Sequence, residues 1–311
     1  MMLSHRADSF LGGLVVICLA ALSLRSSVAD PRSSGANPFA EFDVGPLPSF
    51  ALRGRTVAVI GTGSVGIPYF WAFAATARDC TIILASRDSD KAARIVDAIR
   101  STSGYVGYRA YTGTYRARAG DITSRGVDLL GLSLNLAVRK ADIIVMAVPY
   151  PVATDLFLSW RPLFQGKGKI VIDLMNPYQG QYFGRAPCPG RHSSTQCLID
   201  ALAEPTTLWT TGLKNQPEGL YGPNMSGLHT WAAGNDTAKA ALAALVQPLG
   251  MRVINVGDMA EAPYYEAYPS GHSWTNPTTG RHAPDGRYFA VSEGTCMRPQ
   301  VMRDGVRGRW C

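Results

Sequence analysis

Arg55-Thr-Val-Ala-Val-Ile60, Gly61-Thr62-Gly63-Ser64-Val65-Gly66, a helical run from Ile67 to Arg78, and Thr81-Ile-Ile-Leu-Ala85-Ser86-Arg87 follow one another in close succession. Apolar strand, glycine turn, helix and second strand in that order form the layout of a dinucleotide-binding unit. Gly61 permits the tight turn, Gly63 presents no side chain to an approaching pyrophosphate, and Gly66 lets the helix lie close to the sheet. The helix N-terminus then offers unpaired N–H groups and the positive end of its dipole to phosphate.

The end of the second strand selects the dinucleotide. An acidic residue about 20 positions past the glycines would hold a ribose 2′-hydroxyl. Ser86 and Arg87 stand there instead. A hydroxyl and a guanidinium suit a 2′-phosphate, and Lys91, one turn into the next helix, adds charge. Asp88 is the opposing feature, a carboxylate close enough to contact a ribose. The reading is NADP rather than NAD.

Working outward, Ser89 to Ser101 reads as a helix, with Asp88 or Ser89 as its cap and Ala92, Ile95, Val96 and Ile99 as its apolar positions. Further strands are expected at Ile143 to Val148, Ile170 to Leu174, Leu208 to Leu213, Trp231 to Ala233 and Arg252 to Val256. Helices are expected at Leu132 to Arg139, Val152 to Trp160 and Asp236 to Leu249. Residues 102–131 carry four tyrosines among Gly and Arg, a pattern of strand and loop packing to which no function is assigned. Strands that are near-continuous apolar runs, alternating with helices, predict an α/β fold with a doubly wound, mostly parallel sheet. The domain spans 53–257, after a flexible lead-in at 30–52. Residues 178–200 read as an irregular insertion and 258–311 as an irregular C-terminal extension.

The 311 residues are 46% hydrophobic and 17% charged, enough apolar mass for a sizeable core. The net charge of +7 is spread without a Lys/Arg-rich run, so no nucleic-acid partner is implied. Residues 1–29 read as a secretory signal: Leu11 to Leu24 is an apolar core too short for a comfortable span, and Ser27-Val28-Ala29 is a small-residue cleavage site. An uncleaved anchor and an organelle transit peptide rank below it. Five cysteines lie beyond: Cys80, Cys188, Cys197, Cys296 and Cys311. An oxidising lumen would allow two local disulfides, around the 188–197 loop and in the tail, with Cys80 buried. Their spacing matches no zinc site. Asn224-Met-Ser and Asn235-Asp-Thr are glycosylation patterns that matter only if the signal acts.

Four segments fall in the order of a known family: Val-Ile-Gly61-Thr-Gly-Ser-Val-Gly66, Ala85-Ser86-Arg87 with Lys91, Ala141-Asp-Ile-Ile-Val-Met-Ala-Val148-Pro149-Tyr150, and Ile172-Asp-Leu-Met-Asn176-Pro177. The pattern resembles the deazaflavin-dependent NADP reductases and the related NADPH-binding domain of the six-transmembrane metalloreductases. Leu213-Lys214-Asn215 resembles a degraded form of their Lys-Ala-Phe-Asn segment, and Ala232 to Asp236 with the following helix resembles their closing helix and strand. The resemblance implies that Thr62, Ser64 and Val65 join Gly61, Gly63 and Gly66 at the pyrophosphate. It also implies that Ser86, Arg87 and Lys91 hold the 2′-phosphate, that Val148, Pro149 and Tyr150 lie along the cofactor, and that Asn176 and Pro177 lie near the nicotinamide.

NADP(H) is the expected cofactor, with a flavin or deazaflavin as co-substrate. Direct hydride passage between two rings requires no catalytic acid or base, and none is assigned; His229 and His272 read as structural or exposed. The implied partner is a small redox acceptor, a homodimer is left open, and the expected location is a secretory lumen or the cell exterior. Two alternatives stand beside this reading. One is an imine reductase resembling pyrroline-5-carboxylate reductases, which would need a helical dimerisation domain after Gly257. The other is a non-catalytic NADP-binding redox-sensing module.

Overall fold

The computed structural model describes residues 43–101, 105–110, 113–175, 193–214 and 229–262. Strands β1 (Thr56–Ile60), β2 (Thr81–Ser86), β5 (Asp128–Ser133), β6 (Ile143–Met146), β7 (Ile170–Asp173), β8 (Leu208–Gly212), β9 (His229–Gly234) and β10 (Arg252–Gly257) form one sheet in the order β10-β9-β8-β7-β6-β1-β2-β5. Every pairing is parallel except β8 with β9. The central strands Val57–Ile60, Ile82–Ala85 and Ile143–Met146 are buried throughout, as strands covered on both faces must be.

The helices that cover the sheet are α1 (Gly66–Thr76), α2 (Ser89–Ser101), α3 (Ala119–Ser124), α4 (Leu134–Lys140), α5 (Tyr150–Phe164), α6 (Ser194–Leu202) and α7 (Asp236–Val246). One core contains Tyr69, Phe70, Trp71 and Phe73 of α1 with Leu242, Leu245 and Val246 of α7. The other contains Phe157, Trp160 and Phe164 of α5 with Leu198 and Leu202 of α6. Helix α1 is buried on nearly all sides, so its sequence shows little amphipathic period. Helix α2 buries Ala92, Val96 and Ile99, half-buries Ala93 and Ile95, and exposes the rest. Among the described residues no helix is long and apolar enough to cross a membrane.

Four local structures differ from the sequence reading. Asp128–Ser133, whose last two residues were expected to open the helix at Leu132 to Arg139, is an edge strand of the main sheet, and that helix begins at Leu134. A Cβ on its Gly131 would stand 2.5 Å from Ala93 backbone atoms, so α2 reaches the strand only because the side chain is missing. Tyr105–Ala110 and Gly113–Arg118 pair as a separate antiparallel ribbon, β3 and β4. The expected irregular insertion ends in α6, whose N-cap Ser193 accepts from Gln196 N–H at 3.1 Å. The second half of the expected flexible lead-in is fixed: Val44 N–H donates to Asn255 O at 2.8 Å, Asn255 Nδ2 donates to Gly45 O at 3.1 Å, and Phe50 and Leu52 pack on the core.

Candidate functional site

Chain direction over the sheet reverses at β1. The path β1-β2-β5 runs one way and β6-β7-β8 the other, so the crevice outside the carboxyl ends of β1 and β6 is the topological switch point, where open α/β sheets bind ligands. The glycine turn occupies it. Gly61 has φ +123°, and a Cβ on it would collide with the Ala147 carbonyl at the end of β6. A Cβ on Gly66 would collide with the Gly61 carbonyl, while Gly63 faces open space. Two glycines are therefore needed for packing and the third leaves room at the surface. Val65 precedes α1 with no side-chain cap. Among the described residues the backbone N–H groups of Thr62, Gly63, Ser64 and Val65 have no acceptor. This run of open donors at a helix N-terminus suits an anion.

Beside the turn, Ser86 Oγ lies 3.2 Å from Thr62 Oγ1 and accepts from Asp88 N–H at 3.2 Å. Lys91 Nζ donates to Thr62 O at 3.3 Å, which draws the head of α2 onto the glycine turn. The Asp88 carboxylate is used locally: Oδ1 accepts from Lys91 N–H at 2.9 Å, capping α2, and Oδ2 stands 4.0 Å from Arg94. Arg87 is exposed and pairs with no carboxylate among the described residues. Ser86, Arg87 and Lys91 thus stand together beside the turn, with Asp88 committed to the helix cap. A dinucleotide fits this set, since open amides face the pyrophosphate position and two exposed cations flank a buried hydroxyl at the 2′ end.

Along β6 the placement is mixed. Val148 is half-buried and Pro149 exposed. Tyr150, expected along the cofactor, is buried in the core beneath α5, and its hydroxyl donates to Ser194 O at 2.9 Å. Asn176, Pro177, Asn224, His272, Cys188, Cys296 and Cys311 lie outside the described residues. Cys197 is disulfide-bonded. Cys80 is a free, buried thiol, pushed up to about 11 by burial and secondarily by Asp79. Among the described residues no group of three or more His, Cys, Asp or Glu could hold a metal.

The sequence reading missed a buried polar cluster at the ends of β7 and β8. Lys214 Nζ lies 2.9 Å from Asp173 Oδ2, with side chains 1% and 0% exposed, and donates to Ser194 Oγ at 2.9 Å and Thr195 Oγ1 at 3.1 Å. Thr195 Oγ1 donates to Asp173 Oδ2 at 2.6 Å, and Asp173 Oδ1 accepts from Met175 N–H at 2.9 Å. Leu213, just before the lysine, has φ +61° and donates its N–H to Thr230 Oγ1 at 2.7 Å. A non-glycine residue held there costs on the order of 1–3 kcal/mol. The sequence signal was that both Asp173 and Lys214 lie in segments carrying the family resemblance, Ile172 to Pro177 and Leu213-Lys214-Asn215, with nothing there to pair them.

Fold and glycine turn together define a Rossmann-type nucleotide-binding domain. Residues 56–177 match the family described as NADP oxidoreductase, coenzyme F420-dependent. The chain is accordingly an NADP-dependent oxidoreductase. The chain is similar to several solved structures, three of which follow. An Arthrobacter sp. FB24 protein described as an F420-dependent NADP reductase is 21% identical, with 68% of this chain and 89% of that chain covered and a TM-score of 0.48. The NDP-N-acetyl-D-galactosaminuronic acid dehydrogenase of Methanosarcina mazei Go1 is 14% identical, with 69% and 46% covered and a TM-score of 0.47. A pyrroline-5-carboxylate reductase of Coxiella burnetii is 15% identical, with 67% and 61% covered and a TM-score of 0.43. No curated protein sequence matches the chain.

Proposed function

We propose that this protein transfers hydride between NADP(H) and a flavin- or deazaflavin-like acceptor. The observation that carries the reading is the exposed Arg87 and Lys91 beside Ser86 and Thr62, adjoining four open amides at the switch point. NADPH, when bound, supplies the hydride. The chain's own residues bind and orient. Thr62, Gly63, Ser64 and Val65 present amides to the pyrophosphate, Ser86, Arg87 and Lys91 hold the 2′-phosphate, and Val148 and Pro149 border the crevice. Holding two rings in contact geometry converts an encounter into a unimolecular step, which is where the acceleration arises.

The same proposal places the chain in an oxidising lumen. Residues 1–29 have the form of a secretory signal, and a disulfide at Cys197 suits that compartment. The test is titration of the purified chain with NADPH and NADH, followed by NADPH oxidation with FMN, FAD and deazaflavin acceptors. Preferential NADPH binding and acceptor-dependent oxidation are expected. Equal affinity for the two nucleotides overturns the 2′ assignment, and NADPH binding without turnover on any of these acceptors overturns the acceptor class.

A further inference from the structure

Two lysines share nearly complete burial but have different surroundings. Lys239 of α7 donates to Asn255 Oδ1 at 2.6 Å and Gly257 O at 2.7 Å and meets the exposed Asp236 at 2.8 Å, tying the helix to β10. Lys214 stands where β8 ends, at the same edge of the sheet as the glycine turn, facing an equally buried carboxylate. A buried ion pair contributes little net stability compared with apolar residues of the same volume. Stability therefore does not account for Lys214, nor for the left-handed Leu213 that delivers it. Strain and buried charge coincide at working sites more than elsewhere.

The cluster joins three successive strand ends. Tyr150, just past β6, donates to Ser194 O. Asp173 closes β7 and accepts from Met175 N–H. Lys214, just past β8, binds Asp173, Ser194 and Thr195 together. Lys214, 41 positions beyond Asp173 in sequence, thus ties Asp173, which holds the Met175 amide, to the first turn of α6. The Lys214 ammonium is met by Asp173 within the cluster. Its chemistry is that of a clamp.

Resting on the hydride-transfer reading, we propose that Lys214 is a positioning residue. With Asp173 and Thr195 it sets the chain leaving β7 against the first turn of α6, and so fixes the acceptor side of the nicotinamide site while leaving the 2′ end alone. Loss of the clamp then lowers kcat without weakening NADPH, since a displacement of about 1 Å in a reacting pair costs as much as 100-fold in rate.

The full chain is compared with Thr195→Val, Thr195→Ser, Lys214→Met and the control Lys239→Met. NADPH affinity, kcat and KM with FMN, melting temperature, and hydrogen exchange of the Met175 amide without nucleotide are measured. Thr195→Val removes one hydroxyl at nearly constant volume and is expected to keep NADPH affinity within about twofold while kcat falls about tenfold or more. The Met175 amide should exchange faster, and Thr195→Ser should restore both. Lys239→Met should lower the melting temperature and leave kcat unchanged. If Lys214→Met does not fold, the Thr195 pair decides. Wild-type kcat in folded Thr195→Val, or a fall in kcat shared with Lys239→Met, overturns the clamp alone. A wild-type chain that binds NADPH but reduces none of FMN, FAD and a deazaflavin overturns the hydride-transfer reading and the clamp with it.

Discussion

Arg87→Ala is the substitution most diagnostic of the 2′-phosphate site. The guanidinium is exposed and has no carboxylate to leave before it takes a phosphate. The nearest acid, Asp88, is held at 2.9 Å by Lys91 N–H. A hydrogen bond to a charged group contributes about 1.5–3 kcal/mol. Exposure and salt screening favour the low end, and about 1.5 kcal/mol corresponds to roughly tenfold in Kd. Lys91→Ala should cost less, about three- to fivefold, because its ammonium already donates to Thr62 O at 3.3 Å. NADH carries no 2′-phosphate, so its affinity should hold in both variants. Calorimetric titration at two salt concentrations adds a control, since NADPH binding to the wild type should weaken with salt more than NADH binding. An NADPH Kd changed less than about twofold in Arg87→Ala, or a parallel loss of NADH affinity, would refute the assignment.

Other substitutions read other parts of the molecule. Gly66→Ala forces a methyl group into the Gly61 carbonyl; overpacking of this kind costs about 1–3 kcal/mol, so thermal melts should show a lower Tm and NADPH titration a weaker site. Cys80 has its thiol raised from 9.0 to about 11, so the fold retains the proton more strongly than the unfolded chain. That contribution is fully present below pH 9 and is lost as pH rises toward 11; Cys80→Ala should flatten the fall in stability over this window, as followed by urea melts. Native Cys80 should resist thiol reagents at pH 8 and react once the chain is denatured. Deleting residues 1–52 removes Phe50, Leu52 and the Asn255 contact, whereas deleting 1–42 keeps them, so the longer deletion alone should lower Tm. In a eukaryotic secretory host, Thr237→Ala should abolish any glycan at the exposed Asn235 while keeping the Asn235 Oδ1 cap on α7, as read by mass spectrometry of the secreted chain.

What the sequence made legible is what short segments encode. The unit from Thr56 to Ser86 was readable because strand, turn and helix each carry their own signal within a few residues, and the glycine spacing is dictated by collisions between neighbours in the chain. Helix α2 was readable because its apolar face recurs at helical spacing on one side only. Strand β5 was not: Asp-Leu-Leu-Gly-Leu-Ser lacks β-branched residues, and Gly131 is explained only by a helix lying about 30 positions earlier in the chain. The family resemblance implies that Tyr150 lies along the cofactor. The turn into α5 carries its ring inward, because Tyr150 is the first residue of a helix whose buried face continues through Ala153 and Phe157.

The two sides of the switch point are held by different physics, and that difference should govern how each responds to change. On the β1–β2 side the turn is shaped by the absence of side chains at Gly61 and Gly66, a steric constraint that neither pH nor salt alters. On the β7–β8 side the strand ends are held by one buried charge pair and its hydroxyl partners. There, a neutral substitution of similar volume, such as Lys214→Met, removes the bonds while leaving the space filled. Removing one partner of a buried pair typically costs about 3–5 kcal/mol because the other charge is left uncompensated. Joint replacement of Lys214 and Asp173 by apolar residues should therefore destabilise the fold less than either single change. Stability would then be recovered without recovering the positions of Met175 and Ser194, separating the pair's role in holding the fold from its role in holding the site.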